Sequence, residues 1–430
     1  MHAIIETKLQ LDKLQEYCTD SCFVQLICGN DNFHPKFTNV VALYYQCLNS
    51  KGHIIPINHS ETFNLNWSDV LDFLSKHKIV YLLDKKFHDY FFPETIKSTD
   101  IQFQILNQTN KQFKSDECNT PVHVHFYREH YFRNNINAII PVVKHLEKWN
   151  RIFEKIKQYL NFRPLTWFDN EYTTTFKRIE QEGIKITPSK FNHHFEPTFE
   201  EYSISKNKIH SLYNLYNLTT RPSNTFNNIN FAALPKENGA RSSFIPTNDY
   251  FIEFDFTAYH PSLIASLCNI KFTNAPYSDL AEILGVSETE AKEITFKNLY
   301  GGVREEFKEK TFFKEVNQLI KKMWLVYNQE QKMKLANGRF ILKSSELNPT
   351  KIFNYYVQSL ETKSNVELVS KVLDYLDRKK SKVILYLYDS ILIDFSKEDG
   401  IETIKEIKNI MESGGFSVKM KRGINYGLNG

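Results

Sequence analysis

The sequence predicts a multidomain α+β fold, and three observations carry that expectation. The chain has 430 residues, 41% of them hydrophobic, enough apolar material for the cores of two or three domains. Residues 23–59 hold three short runs with strand composition, separated by turn residues. Far downstream, two more apolar runs, Phe251–Phe256 and Val383–Phe395, each carry an aspartate, with helix-patterned sequence between them.

The early runs read as strands Phe23–Cys28, Val40–Cys47 and His53–Ile57, with turns at Gly29-Asn-Asp-Asn and Asn49-Ser-Lys-Gly52. Residues 138–160 follow helical spacing, with Ile139, Val142, Val143, Leu146, Trp149 and Ile152 on one side. Lys308–Lys322 reads as a mixed-charge helix with a solvated face. Lys419, Lys421 and Arg422 lie on the last strand pattern, where they either reach phosphates or blunt an edge.

Composition excludes some classes. No apolar run approaches the roughly 18 residues of a membrane span, and the opening Met-His-Ala-Ile-Ile-Glu has no signal-peptide shape. The expected setting is cytoplasmic. A net charge of +4 argues for no particular partner. The six cysteines show no framework spacing and no C-x-x-C pair, and read as buried free thiols.

Three stretches carry chemistry. In Phe251-Ile-Glu-Phe-Asp255-Phe256-Thr-Ala-Tyr-His260-Pro261, a strand ends in an acid and a helix starts at Pro261, where the missing N–H costs nothing. Val383-Ile-Leu-Tyr-Leu-Tyr388-Asp389-Ser390-Ile-Leu-Ile is a hairpin pattern with an acid near its tip. Between them, Lys292, Phe296 and Tyr300 recur at i, i+4 and i+8 and share one helical face. Each alone has a bland reading, a solvated turn or an ordinary amphipathic helix. Together, two strand-tip carboxylates suit a pair of Mg²⁺ ions in phosphoryl transfer, and a cation followed by two rings suits a nucleoside triphosphate.

In this order the three stretches resemble motifs A, B and C of family A DNA polymerases, the polymerase I type. The resemblance continues through Thr219-Thr220-Arg221 and Asn227-Asn-Ile-Asn, Arg241 with Phe244, Asn337-Gly338-Arg339, Asn354-Tyr-Tyr-Val-Gln358, and the closing Gly423-Ile-Asn425-Tyr426. It covers roughly residues 172–430. Motif A also resembles that of family B. Tyr388-Asp389-Ser390, with one acid, favours family A.

The resemblance implies a right-hand polymerase, with an antiparallel palm sheet backed by helices, helical fingers and a reduced thumb. It places a degenerate exonuclease-like domain of RNase H type at 1–145 and linker helices with the thumb at 146–218. The palm falls at 219–267 and 336–430, and the fingers at 268–335. The thumb is expected as one or two short helices around 196–218, because little chain separates Gly183 from Thr220. Asp255 and Asp389 are implied as catalytic residues and ligands of two Mg²⁺ ions, for which Mn²⁺ can substitute, with Phe256 as a further metal contact. Lys292, Phe296, Tyr300, His260 and Arg241 are implied at the nucleotide. Arg221, Asn354, Gln358 and Tyr388 are implied at the primer–template.

Several positions depart from the family pattern. His260 stands where a glutamate usually blocks the ribonucleotide 2′-hydroxyl, Tyr388 where histidine is usual, and Glu288 where motif B has arginine, leaving Arg304 or another cation to replace it. The strand Val24-Gln-Leu-Ile-Cys-Gly29 resembles the first exonuclease strand but lacks its acids. Asp84-Lys-Lys-Phe-His88-Asp89 is a loose echo of the second exonuclease motif, and Tyr131…Asn135 carries an amide in place of the third motif's acid. A neutral amide does not supply the charge a divalent metal demands. The expected activity is therefore template-directed addition of dNTPs to a primer without proofreading. Primer–template DNA and dNTPs are the expected partners, together with a processivity or replisome protein and no membrane. A single-subunit RNA polymerase and a non-catalytic nucleic-acid-binding relative remain as alternatives.

Overall fold

The computed structural model describes residues 3–18, 20–31, 34–114, 135–160, 166–195, 207–224 and 229–428. The chain divides into two compact units, the first built mainly from residues 1–106 and 112–173, the second from 174–199 and 204–430 with 107–111.

The first unit is organised on a five-stranded sheet: β1 (Ser21–Cys28), β2 (Val40–Cys47), β3 (His53–Pro56), β4 (Ile79–Leu82) and β5 (Ser98–Asp100). Its order is β3-β2-β1-β4-β5, antiparallel across β3, β2 and β1 and parallel across β1, β4 and β5. The three strands read from sequence are present to within two residues. Nearly every side chain of β1 and β2 is buried, as expected for a sheet covered on both faces. One cover is α1 (Val142–Ile156), which buries Val142, Trp149 and Ile152. Val143 is instead exposed, because two adjacent residues on a helix point about 100° apart.

The cysteine expectation needs correcting. Cys18 and Cys47 form a disulfide, with Cα atoms 6.3 Å apart. They lie just after a helix and at the end of β2, a pairing that spacing alone does not reveal. Cys22, Cys28 and Cys268 are free, and burial pushes the first two thiols well above their usual range. Cys118 lies outside the described residues.

The second unit contains a four-stranded antiparallel sheet of β6 (Tyr250–Phe256), β7 (Lys382–Tyr386), β8 (Ser390–Phe395) and β9 (Val418–Gly423), in the order β7-β8-β6-β9. β9 is therefore an edge strand, and its exposed Lys419, Met420, Lys421 and Arg422 fit that position. Helices α2 (Tyr259–Leu267), α3 (Pro276–Leu284), α4 (Glu288–Gly301), α5 (Thr311–Glu330) and α6 (Pro349–Leu376) occupy the chain between β6 and β7. Leu280, Ala291, Leu299, Phe313, Val316 and Ile352 share one apolar cluster, so α3 to α6 pack as a group.

Two boundaries differ from the sequence reading. α5 begins at Thr311 and runs to Glu330, because Phe312, Phe313, Val316, Ile320, Met323 and Tyr327 turn one face into the core. Residues 207–218, expected within short thumb helices, hold two short strand segments, Lys208–Ile209 and Tyr213–Asn214. Ser211, Tyr213 and Leu215 are buried there and alternate with half-buried Leu212 and Asn214, the two-residue period of a strand. The remainder of the expected thumb, 196–206, lies outside the described residues.

Candidate active site

The sheet brings the two predicted acids to one place. β6 lies between β8 and β9, with Asp255 opposite Ser390 on one side and Lys419 on the other. β7 and β8 are joined by a tight turn, in which the Leu387 N–H donates to the Ser390 carbonyl at 2.8 Å. The Phe256 N–H donates to the Asp389 carbonyl at 3.0 Å, which pins the turn to the end of β6. Two residues beside the acids adopt left-handed backbone, Tyr388 with φ 71° and Ala258 with φ 48°. Such conformations are costly for residues other than glycine and persist only where the surroundings impose them.

Asn365, buried on α6, supplies one such constraint. Its amide nitrogen donates to the Tyr388 carbonyl at 2.5 Å, and its oxygen accepts from the Tyr259 hydroxyl at 2.8 Å.

The carboxylates act on one another electrostatically. Desolvation, followed by the negative charges of Asp255 and Glu361, pushes the Asp389 carboxyl up to about 6. Lys421 reaches across from β9, its Nζ 2.9 Å from Glu253 Oε2 and 3.2 Å from Asp255 Oδ2. Desolvation works against the Lys421 charge, but the two carboxylates outweigh it and raise its pKa above the ordinary lysine value. The Ser390 hydroxyl donates to Glu253 at 3.4 Å. Glu253 was missed at the sequence level, although its position two residues before Asp255 on a strand puts both acids on one face.

The predicted stripe on α4 is present. A capping box of Ser287 and Glu290 starts the helix, and Lys292, Phe296 and Tyr300 are all exposed. The Phe296 and Tyr300 rings stack at 5.7 Å with planes 6° apart. Glu288 accepts a hydrogen bond from Ser278, and Arg304 sits 3.9 Å from Glu306 on the surface.

A second cluster lies beside the acids. The Tyr300 hydroxyl bonds His260 Nδ1. His260 Nε2 is 3.3 Å from Glu361 Oε2, close enough for an ion pair, though the geometry falls short of a hydrogen bond. Arg221 forks onto Glu361, donating from Nε to Oε2 and from Nη2 to Oε1, both at 2.9 Å. The Arg221 guanidinium also stacks on the Tyr388 ring at 4.3 Å.

Glu361 is fully buried. Desolvation would raise its pKa, but His260 and Arg221 overcome that and hold it below the usual carboxylate range. Sequence reasoning missed Glu361, since one glutamate in a 28-residue helix carries no signal of its own.

Asn354 donates from Nδ2 to the Tyr300 carbonyl at 3.3 Å, and Gln358 is half-buried one turn further along α6. Arg241 has partners of its own. It donates to the Leu234 carbonyl at 2.9 Å and stacks on the Tyr426 ring at 4.6 Å, and the described structure records no contact between it and this cluster. Phe256 contributes its backbone N–H to the Asp389 pin and stacks its ring on Tyr259 at 4.2 Å.

Among the described residues, no group of three His, Cys, Asp or Glu side chains is arranged to hold a metal ion. The donor set nevertheless fits Mg²⁺, which takes one or two carboxylates and completes its shell with water and substrate phosphates. Desolvation and then the charges of Asp255 and Glu361 raise Asp389, and a bound divalent cation would offset that repulsion.

In the N-terminal unit the residues of the loose exonuclease echo have structural partners. Asp84 caps a short helix by accepting from the Phe87 N–H at 3.0 Å, and Asp89 pairs with Lys85 at 2.5 Å. His88 Nε2 accepts from the Leu26 N–H at 3.2 Å, and burial pushes its pKa down to about 4. β1 carries no acid. Of the third echo, Asn135 is described and Tyr131 lies outside the described residues.

No family model matches the sequence, and no curated protein matches it. Among solved structures, the chain is similar to the POL domain of Pol1 from M. smegmatis, a structure of that protein in complex with DNA primer-template and dNTP. The TM-score is 0.67 at 12% identity, covering 98% of each chain. At that identity the likeness is one of fold, and it extends over almost the whole length of a polymerase I POL domain.

Proposed function

We propose that the protein is a template-directed DNA polymerase of the polymerase I type, adding dNTPs to a primer 3′-hydroxyl. The observation that carries this reading is the meeting of Asp255 and Asp389. They are far apart in sequence, and the Phe256–Asp389 backbone hydrogen bond holds their strand ends together. A pair of Mg²⁺ ions held by these carboxylates would lower the pKa of the primer hydroxyl and stabilise charge on the transferred phosphate.

The chain's own residues do the positioning. Lys292 offers a cation to the triphosphate, and Phe296 with Tyr300 offers a stacked pair of rings to the incoming nucleotide and the template. Arg221 and Gln358 lie where a minor-groove edge can be read, since every base pair presents an acceptor there. His260 fills the space above the sugar and excludes a 2′-hydroxyl by bulk. Lys421, held between Glu253 and Asp255, neutralises the acids when no metal is bound. Residues 1–145 serve as an exonuclease-like scaffold. Their sheet order supports that assignment, and the acid-free β1 supports the loss of proofreading.

The test is extension of a labelled primer on DNA with Mg²⁺ and either dNTPs or rNTPs. Template-directed dNTP incorporation is expected. Preference for rNTPs would make the protein an RNA polymerase, and binding of primer–template without extension by either would make it a non-catalytic relative.

A further inference from the structure

We propose that Glu361 is a positioning residue that couples sugar selection at His260 to reading of the primer end at Arg221. This inference rests on the polymerase reading above. A fully buried carboxylate in the middle of a helix is expensive, and a well-packed apolar side chain would serve stability as well or better. Here both carboxylate oxygens are engaged. Oε1 accepts from Arg221 Nη2, and Oε2 accepts from Arg221 Nε while lying 3.3 Å from His260 Nε2. The imidazole and the guanidinium thus meet at one oxygen atom.

Each partner has a second attachment. His260 Nδ1 bonds the Tyr300 hydroxyl on α4, and Arg221 stacks on Tyr388, the residue before Asp389. One carboxylate therefore joins the nucleotide-facing helix, the residue above the sugar, the minor-groove arginine and the turn that presents a catalytic acid. A shift of the His260 ring, as a 2′-hydroxyl beneath it would force, disturbs Glu361, the charge partner of Arg221. A misplaced primer terminus that drags Arg221 loosens His260 in turn. The two discriminations depend on each other through Glu361.

The experiment measures kcat/KM for dNTP against rNTP, and for matched against mismatched primer ends, in the wild type, Glu361→Gln, His260→Ala and the double variant. Thermal melting of each variant reports folding. Glu361→Gln is expected to weaken both discriminations by roughly tenfold, the scale of one charge-assisted hydrogen bond. His260→Ala should weaken mismatch rejection as well as sugar selection. In the double variant the mismatch effect should match that of Glu361→Gln alone.

A lower kcat with both ratios unchanged in Glu361→Gln would overturn the proposal, as would simple multiplication of the two single effects. If Glu361→Gln does not fold, His260→Ala still decides, because it leaves the Arg221–Glu361 pair in place; wild-type mismatch rejection in that variant sinks the coupling. A wild type that extends neither substrate would sink the polymerase reading and the coupling with it, whereas an active wild type with unchanged ratios sinks the coupling alone.

Discussion

Asp389→Asn should make the metal-free protein more stable while removing its activity. The Asp389 carboxyl sits at about 6, against 3.8 for an unperturbed aspartate, so the folded state holds its proton more tightly than the unfolded state does. The sign follows from linkage. Above pH 6 the unfolded chain ionises this group at no cost, and the folded chain ionises it against desolvation and the charges of Asp255 and Glu361. The destabilisation is complete above pH 6 and absent below about pH 4. A shift of about two units is worth nearly 3 kcal/mol in full. Neighbouring protein crowds the Asp389 carboxyl, but the residue is solvent-exposed at the turn, so its desolvation is partial and screening reduces the expected figure to about 1 kcal/mol.

Asparagine is close to isosteric and never charges, so it should recover that amount at pH 7.5 in EDTA, less at pH 5, and nothing near pH 4. Thermal or urea melts of the two proteins at the three pH values measure it. A less stable Asp389→Asn in EDTA at pH 7.5, or a gain of equal size at every pH, would refute the reasoning.

Three further outcomes follow from particular contacts. Asn365→Ala strands the Tyr388 carbonyl and the buried Tyr259 hydroxyl, and should cost about 2–3 kcal/mol in a denaturant melt while also lowering primer extension. Lys421→Met removes the cation between Glu253 and Asp255, and should tighten Mn²⁺ binding measured by electron paramagnetic resonance in the absence of nucleotide; unchanged or weaker binding would detach Lys421 from the metal site. The purified protein should not degrade a labelled single strand from its 3′ end, and degradation that is lost on changing Asp84 or Asp89 would show that the N-terminal unit retains a nuclease site.

Much of the site was legible in the sequence because its signals are local. An apolar strand ending in an acid, as at Asp255, and a hairpin turn bearing another, as at Asp389, announce themselves by period and by turn residues. The stripe of Lys292, Phe296 and Tyr300 follows from the 3.6-residue repeat. What escaped depends on tertiary neighbours. Glu361 looks like any helical glutamate until Arg221 and His260 arrive from elsewhere in the chain.

Arg241, placed at the nucleotide by resemblance, is held by Tyr426 and Leu234, contacts that no spacing rule foresees. The Cys18–Cys47 pair joins residues 29 apart in two different elements. The short strands at 208–214 run against an expectation set by analogy rather than by their own alternating pattern of buried Ser211, Tyr213 and Leu215.

The central claim is that Asp255 and Asp389 act together as the metal-binding acids of a polymerase. It is tested most directly by template-directed primer extension with Mg²⁺ in Asp255→Asn and Asp389→Asn, each first shown by its melting curve to be folded. Loss of one carboxylate removes a metal ligand and the charge stabilisation it supports, and a loss of at least about a thousandfold in extension rate is expected from each variant. Either variant extending primers at more than a tenth of the wild-type rate would contradict the account.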